Sequence, residues 1–206
     1  MISVRKICKS CLIGVIALML SVLPVIATEI VSVDGSEFFP PMTKQERLEK
    51  TVYLQNLNYA AACNGVLTVI NPQDKKVMPT TVEGTFYVPL RFILEYYGVG
   101  VSWDHEAKTV VMSAGDKQFR LAVESATFSL GEKSKQLDYR CFVDRGTTFV
   151  AFEDISKIIY CDTHYYAENR AGVIVVGPSW KPDEQAEKQA VKAMEFAISP
   201  FFKMFV

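Results

Sequence analysis

The sequence predicts an α+β fold in which antiparallel strand hairpins pack against two short helices. Two observations predict it. Short apolar runs separated by turn residues, typical of strands, follow one another from Asn64 onward. A segment of strand, helix and hairpin character also occurs twice, at residues 84–115 and 146–177. We therefore expect a duplicated unit of short strand, helix and β-hairpin, with an antiparallel sheet on the two helices and a further C-terminal helix.

The internal repeat aligns the two segments at an offset of 62 residues without gaps, and seven of the 32 aligned positions are identical. Other pairs keep their character, such as Trp103 with Tyr165. Repetition at a fixed spacing is the signature of a repeated structural unit. The identical pairs are Gly84/Gly146, Thr85/Thr147, Val88/Val150, Ile93/Ile155, Glu106/Glu168, Val111/Val173 and Gly115/Gly177.

The first unit illustrates how each element is predicted. A short strand runs into Pro89, which is accepted in the first turn of a helix. Apolar residues then recur at i, i+3, i+4 and i+7 from Leu90, which predicts one buried helix face. Gly98 is the expected C-terminal stop of the helix. Residues 101–103 and 109–112 are expected to form a hairpin around the turn between them.

The repeat also predicts which residues form the core. Because Trp103 aligns with Tyr165, we expect both rings to point inward rather than to form a platform for sugars. The predicted core residues are Val88, Pro89, Leu90, Ile93, Gly98, Trp103, Val111, Val150, Ile155, Tyr165 and Val173.

One weak candidate for a binding site follows from this assignment. If Tyr165 faces inward, Asp162, His164 and Tyr166 share the outer face of the strand by alternation. Such a trio can bind a cation or a polar ligand, but one histidine beside one carboxylate is not a metal-site spacing. We therefore predict no metal and no cofactor.

The N-terminus has the three-part pattern of a signal peptide. Arg5, Lys6 and Lys9 are followed by a run of apolar residues that closes at Ala27. We expect residues 1–27 to be removed, which leaves a mildly acidic exported chain that is secreted, with the cell wall as a candidate location. A membrane association would then require a retained leader.

The remaining chain is divided into three parts. Residues 28–63 are predicted to be a linker and a helix that starts at the capping box of Thr43 and Glu46, with Asn64-Gly65 as a candidate stop. Residues 64–177 form the repeat-containing domain. Residues 178–206 are predicted to be an amphipathic helix followed by an apolar, Phe-rich tail.

Composition excludes two classes of protein. The 206 residues carry 22 basic and 23 acidic side chains, without the basic excess of a nucleic-acid-binding protein. Two histidines leave little room for a His-rich metal centre. Beyond the leader, Cys63, Cys141 and Cys161 allow one disulfide with a free thiol or three reduced core residues. We suspect that Cys141 and Cys161 lie close together, at the two ends of the second helix.

The first unit resembles a known family. Residues 87–93 read Tyr-Val-Pro-Leu-Arg-Phe-Ile; Gly98, residues 101–104 (Val-Ser-Trp-Asp) and residues 108–110 (Lys-Thr-Val) follow in order. These motifs resemble the copper amine oxidase N-terminal-like domain, also called the stalk domain, over roughly residues 64–177. The family is common in exported proteins of Gram-positive, clostridial-type bacteria. The second copy departs from the pattern, with Tyr160 in place of the glycine.

The resemblance implies a domain that accompanies catalytic or wall-associated modules. Amine oxidases of this kind use three copper-binding histidines and a tyrosine-derived quinone in a separate, large domain. This chain has only His105 and His164, and its one Asn-Tyr dipeptide, Asn58-Tyr59, is followed by Ala60. Amine oxidase activity is therefore not expected.

Three functions remain as hypotheses. The leading one is a secreted, non-catalytic binding or scaffolding module of the cell envelope, whose partner is a wall polymer or another envelope protein. A second is a protein-interaction partner that docks through residues 178–206. The least favoured is a small wall-polymer hydrolase that uses carboxylates of the stretch that contains Asp138, Asp144, Glu153 and Asp154.

Overall fold

Antiparallel strands dominate the fold in the computed structural model, which describes residues 43, 46 and 49–177. The predictions of a signal peptide, of a linker before Thr43 and of a C-terminal helix and tail lie outside the described residues. Within the described part, two short α-helices have complete bounds, α1 (Leu90–Tyr96) and α2 (Ile155–Ile158), and a 3₁₀ turn at Phe152–Asp154 leads into α2.

The strands fall into three sheets. Their bounds, in chain order, are β1 (Val52–Gln55), β2 (Ala60–Cys63), β3 (Val66–Val69), β4 (Thr80–Val82), β5 (Thr85–Pro89), β6 (Gly100–Asp104), β7 (Thr109–Ala114), β8 (Lys117–Ala122), β9 (Thr127–Leu130), β10 (Lys133–Gln136), β11 (Phe142–Asp144), β12 (Thr147–Ala151), β13 (Cys161–Tyr166) and β14 (Ala171–Val176). Sheet A has the order β13-β14-β1-β2-β3, sheet B the order β11-β12-β5-β4, and sheet C the order β10-β9-β8-β7-β6. The helices and antiparallel sheets agree with the α+β class.

Residues 80–114 and 142–176 have the same order of elements at the offset of 62. Each consists of a hairpin, a helical turn and a second hairpin, and the registers correspond: Trp103 faces Val110, and Tyr165 faces Gly172. The tight turns correspond as well, since both central residues of the β4–β5 and β11–β12 turns have positive φ, as a type I′ turn requires. The two segments therefore share their order of elements and their strand registers but carry different side chains.

The two segments meet along β5 and β12. In that antiparallel pair Val88 lies opposite Val150, which is its own counterpart at the offset of 62. This pair thus brings equivalent positions of the two segments opposite each other. Val88 and Val150 are fully buried in the main hydrophobic core, together with Ile93 of α1 and Ile155 of α2.

The N-terminal strands complete the sheet of the second segment. β1 pairs with β14, with Val52 opposite Ile174, and β2 and β3 extend sheet A beyond it. In sheet C the meander β8–β10 extends β7 in the corresponding way. Sheet A therefore combines the β13–β14 hairpin with a three-stranded meander from the start of the described chain, whereas sheet C is one continuous meander.

The predicted N-terminal helix is shorter than its candidate stop suggested. The capping box forms, because the Thr43 amide donates to Glu46 Oε2 at 2.7 Å and the Glu46 amide donates to Thr43 Oγ1 at 3.3 Å. By Val52 the chain is a strand, and Asn64-Gly65, with φ of 50° and 72°, is the β2–β3 turn. Asn-Gly is a strong signal for such a hairpin turn. The boundary placed at residue 64 therefore falls inside sheet A.

Most of the predicted core residues are buried, but Gly98, Trp103 and Tyr165 are not. Gly98 is exposed; its φ of 80° ends α1, and its amide donates to the Glu95 carbonyl at 3.0 Å. Tyr165 is 42 % exposed rather than directed into the core. Trp103 is half-buried and packs against the edge of the core, and Val173 belongs to a second, smaller apolar cluster with Tyr53. The residues that are buried are Val88, Pro89, Leu90, Ile93, Val111, Val150, Ile155 and Val173.

No helix within the described residues has the length and apolar character needed to cross a membrane.

Candidate ligand-binding cavity

A cavity of about 430 Å³ opens beside Trp103. α1 and the β6–β7 hairpin form one side of it, and the β11–β12 hairpin forms the other. Its volume lies within the range of roughly 300–1,000 Å³ that is usual for small-molecule sites. The lining residues are Leu90, Arg91, Val101, Ser102, Trp103, His105, Val110, Val143, Gly146 and Thr148.

Apolar side chains form the walls of the cavity. Leu90 and Val110 are almost fully buried, so they present only one surface to the cavity and are fixed by the core behind them. Val143, at its edge, is 48 % exposed. The half-buried Trp103 ring is held edge-to-face with the His105 ring, with centroids 6.3 Å apart. The cavity therefore has a preformed apolar wall and one large aromatic side chain.

Arg91 is the charged residue of the lining. Its Nη1 donates to the Val101 carbonyl at 2.9 Å and to Glu95 Oε1 at 3.1 Å, so the guanidinium is held against the start of β6. None of the lining residues is a carboxylate. Ser102 and His105, which also line the cavity, are not hydrogen-bonded to each other. The cavity thus offers apolar contact and one cation.

The corresponding region of the second segment is filled. There Phe86, the counterpart of Thr148, is buried, and its ring centroid lies 5.2 Å from that of Tyr165 and 5.6 Å from that of Phe152. Gly172, the counterpart of Val110, makes room for this packing, since a Cβ on it would lie 2.5 Å from the Phe152 ring. The region beside Tyr165 is therefore filled by aromatic rings, whereas the equivalent region beside Trp103 is an open cavity.

The trio predicted as a weak binding site lies elsewhere. Asp162, His164 and Tyr166 share one face of β13, as alternation requires, and all three are partly buried. They lie opposite Val175, Val173 and Ala171, which are buried in the smaller apolar cluster. On this face the trio therefore lies beside a buried apolar cluster of sheet A. Among the described residues no group of three or more metal-binding side chains comes together.

The carboxylates considered for hydrolysis are not gathered at the cavity. Asp154 is fully buried and accepts hydrogen bonds from the amides of Asp138 and Tyr139, both at 3.0 Å. Lys157 Nζ bridges Asp154 and Asp138, at 2.7 Å and 2.5 Å. Exposed Asp144 lies 3.8 Å from Arg145. Asp154 therefore connects α2 to the segment before β11.

The three described cysteines are buried, free thiols. Cys141 and Cys161, suspected of lying close together, are thus not joined by a disulfide. Burial raises the pKa of the Cys63 thiol to about 11, and burial together with the negative charge of Asp154 raises the pKa of Cys141 to about 12. Burial also raises the pKa of Cys161. These thiols behave as small apolar core residues rather than as nucleophiles.

Comparison with known proteins assigns the family. Residues 69–174, just over half of the chain, match the copper amine oxidase N-terminal domain. The chain belongs to this family. No curated protein and no solved structure matches it significantly.

The matched region of this copper amine oxidase N-terminal domain runs from the end of β3 into β14 and includes every residue that lines the cavity. Sequence reasoning assigned Leu90 and Trp103 to the core and did not identify Thr148 or Val143 as lining residues. One signal could have found the cavity: the repeat aligns the large Phe86 with the small Thr148.

Proposed function

We propose that this protein is a secreted, non-catalytic binding module of the cell envelope, without amine oxidase activity. The observation that carries the proposal is the preformed apolar cavity beside Trp103, whose lining contains no carboxylate. Concave, mostly apolar sites with few polar groups are typical of ligand binding. Membership of a family named for a domain outside the oxidase's catalytic part supports the same reading, as does the leader pattern of residues 1–27.

The proposal also takes the chain to be a duplication. The shared registers of residues 80–114 and 142–176 support this inference, as does the pairing of Val88 with its counterpart Val150. In this view one copy kept an open site and the other was filled by Phe86. The second copy then serves as a structural support for the first.

Co-sedimentation with Gram-positive sacculi tests the proposal. Purified protein is mixed with crude sacculi and with sacculi stripped of protein by protease, next to an unrelated protein of similar charge. We expect binding that survives moderate salt and that falls at least tenfold in Trp103→Ala. Tyr165→Ala, the corresponding change in the filled segment, is the matched control and should bind normally.

The two preparations separate the possible partners. Binding to both indicates a wall polymer, and binding to crude sacculi alone indicates an envelope protein. Sedimentation with neither preparation, or equal sedimentation of Trp103→Ala and the unchanged chain, would contradict the proposal.

A further inference from the structure

The cavity beside Trp103 has a counterpart within the same chain, and that counterpart shows what fits there. Phe86, from β5 of the first segment, reaches the second segment, where its ring contacts those of Tyr165 and Phe152 at interplanar angles of 38° and 51°. Tyr165 and Phe152 correspond to Trp103 and Leu90 at the offset of 62. Beside Trp103, the position equivalent to Phe86 is occupied by Thr148. The cavity next to Trp103 therefore lacks the ring that fills the region next to Tyr165.

We propose that the cavity binds an aromatic ring, carried by a neutral or anionic molecule, in the place that Phe86 occupies in the second segment. This inference rests on the proposed function, because it takes the cavity as the binding site and names the chemistry of its ligand. The source of the ring is either a side chain of a polypeptide or a free aromatic acid.

The volume and the lining of the cavity are suited to a ligand that consists of one aromatic ring and a small substituent. A cavity of about 150 Å³ is enough to hold benzene in a protein core, and the cavity here is about 430 Å³. A ring placed against Trp103 can adopt the offset or edge-to-face arrangements that aromatic pairs prefer. Leu90 and Val110 are held by the core and supply further apolar lining, Val110 as the cross-strand neighbour of Trp103.

The charge of the lining residues bears on which substituent the ring can carry. Arg91 lies in the lining, and no lining residue is a carboxylate that could pair with an ammonium group. A cation taken out of water without a partner is strongly disfavoured. With Arg91 in the lining and no lining carboxylate, the cavity favours an aromatic ring whose substituent is neutral or negatively charged over an aromatic amine.

Isothermal titration calorimetry with matched probes tests the ring and the charge separately. The full chain is titrated with 3-phenylpropionate, 3-cyclohexylpropionate, phenethylamine, the peptide Ala-Phe-Ala and chitotriose. We expect the phenylpropionate or the peptide to bind at least fivefold more tightly than the cyclohexyl acid and the amine. Binding of the peptide alone assigns the ring to a polypeptide, whereas binding of the acid alone assigns it to a small molecule.

A self-filling variant locates the site. Thr148→Phe places beside Trp103 the ring that Phe86 places beside Tyr165. We therefore expect this variant to lose at least tenfold in affinity while keeping its thermal midpoint. Thr148→Ser is the matched control and should bind within twofold of the unchanged chain. If Thr148→Phe fails to fold, Trp103→Leu replaces it, with the same expected loss.

The inference would be overturned if neither 3-phenylpropionate nor the peptide binds, or if the cyclohexyl acid or the amine binds as tightly as they do. Binding of chitotriose alone, or unchanged binding by Thr148→Phe, would overturn it as well. Its failure can be told from failure of the proposed function. A chain that sediments with sacculi through Trp103 but ignores aromatic probes keeps the function and loses the inference. A chain that binds aromatic probes but not sacculi loses the proposed function and keeps the assignment of an aromatic ligand to the cavity.

Discussion

Asp154 shows how a single buried carboxylate organises its surroundings. Its two oxygens accept the amides of Asp138 and Tyr139, and Lys157 adds a charged partner from the next turn of the chain. A buried charge is tolerated when it is paired and hydrogen-bonded in this way. Its role is therefore to hold the segment before β11 against α2.

Replacing this carboxylate tests that role. Asp154→Ala leaves two amides without acceptors and Lys157 with only Asp138, so we expect the free energy of unfolding to fall by roughly 2–4 kcal/mol. Urea unfolding followed by circular dichroism measures it. Asp144→Ala, at an exposed carboxylate, is the control and should change stability by less than about 0.5 kcal/mol. Equal effects of the two substitutions would contradict the assignment.

The buried thiols predict a loss of stability at alkaline pH. A thiol in the unfolded chain ionises near pH 8.5, whereas the folded pKa values of Cys63 and Cys141 are about 11 and about 12. Because the folded pKa of each thiol is raised, the contribution of the neutral, buried thiols to the free energy of unfolding is complete below pH 8.5. Above that pH it declines, by up to about 1.4 kcal/mol per pH unit for each thiol.

Chemical denaturation between pH 7 and pH 10 checks this, with a variant in which Cys63, Cys141 and Cys161 are all alanine as the comparison. We expect a steeper alkaline decline in the unchanged chain. At pH 8 a thiol reagent should modify these three cysteines only after unfolding. Rapid labelling of the native chain would show that the thiols are accessible.

At the scale of an element, β14 and β7 follow the same path with different side chains. Gly172 of β14 lies beneath the Phe152 ring, where a Cβ would come within 2.5 Å, whereas Val110 occupies the corresponding position of β7. Gly172 is therefore required by close packing and not by its backbone angle. This packing allows the aromatic filling of the second segment.

Gly172→Ala is expected to destabilise the protein by about 1–3 kcal/mol, the usual effect of overpacking a core. Thermal and urea unfolding measure the change. Gly100→Ala offers a matched control in β6, because its nearest neighbour outside the adjacent residues is at an ordinary 3.6 Å. If both substitutions had the same effect, the contact with Phe152 would not be the cause.

Elements with local signals could be predicted from the sequence, and elements defined by distant partners could not. The helix from Leu90 and its stop at Gly98 follow from periodicity and turn chemistry. β2, with the sequence Ala-Ala-Ala-Cys, carries no strand signal, since alanine favours helices. It is a strand because it pairs with β1 and β3, so tertiary pairing overrides local preference. The cavity escaped prediction because it depends on which side chain is small, at Thr148.

At the scale of the whole molecule, β1 is the central strand of sheet A and joins the start of the described fold to its end. A chain that begins at Gly65 lacks β1 and β2 and leaves β14 with an unpaired edge. Exposed strand edges promote aggregation. The region matched by the family, residues 69–174, is therefore not a complete structural unit by itself.

Truncation tests this dependence. We expect a chain lacking residues 1–64 to lose cooperative urea unfolding and to aggregate, and a chain lacking residues 1–42 to keep its unfolding transition. Circular dichroism and light scattering distinguish the two. A cooperative transition in the shorter chain would show that sheet A is stable without its central strand.

The pairing of Val52 with Ile174 also bears on how the protein reaches its native state. These partners are about 120 residues apart in the chain, so closing them carries a loop entropy that no local contact offsets. Pairing of strands so distant in the chain is slow, because the loop-closure entropy must be overcome before the contact stabilises the fold. During synthesis, β1, β2 and β3 emerge long before β14, so sheet A cannot be completed until the last described strand is available. Stopped-flow refolding should therefore show a slow phase in which sheet A forms last.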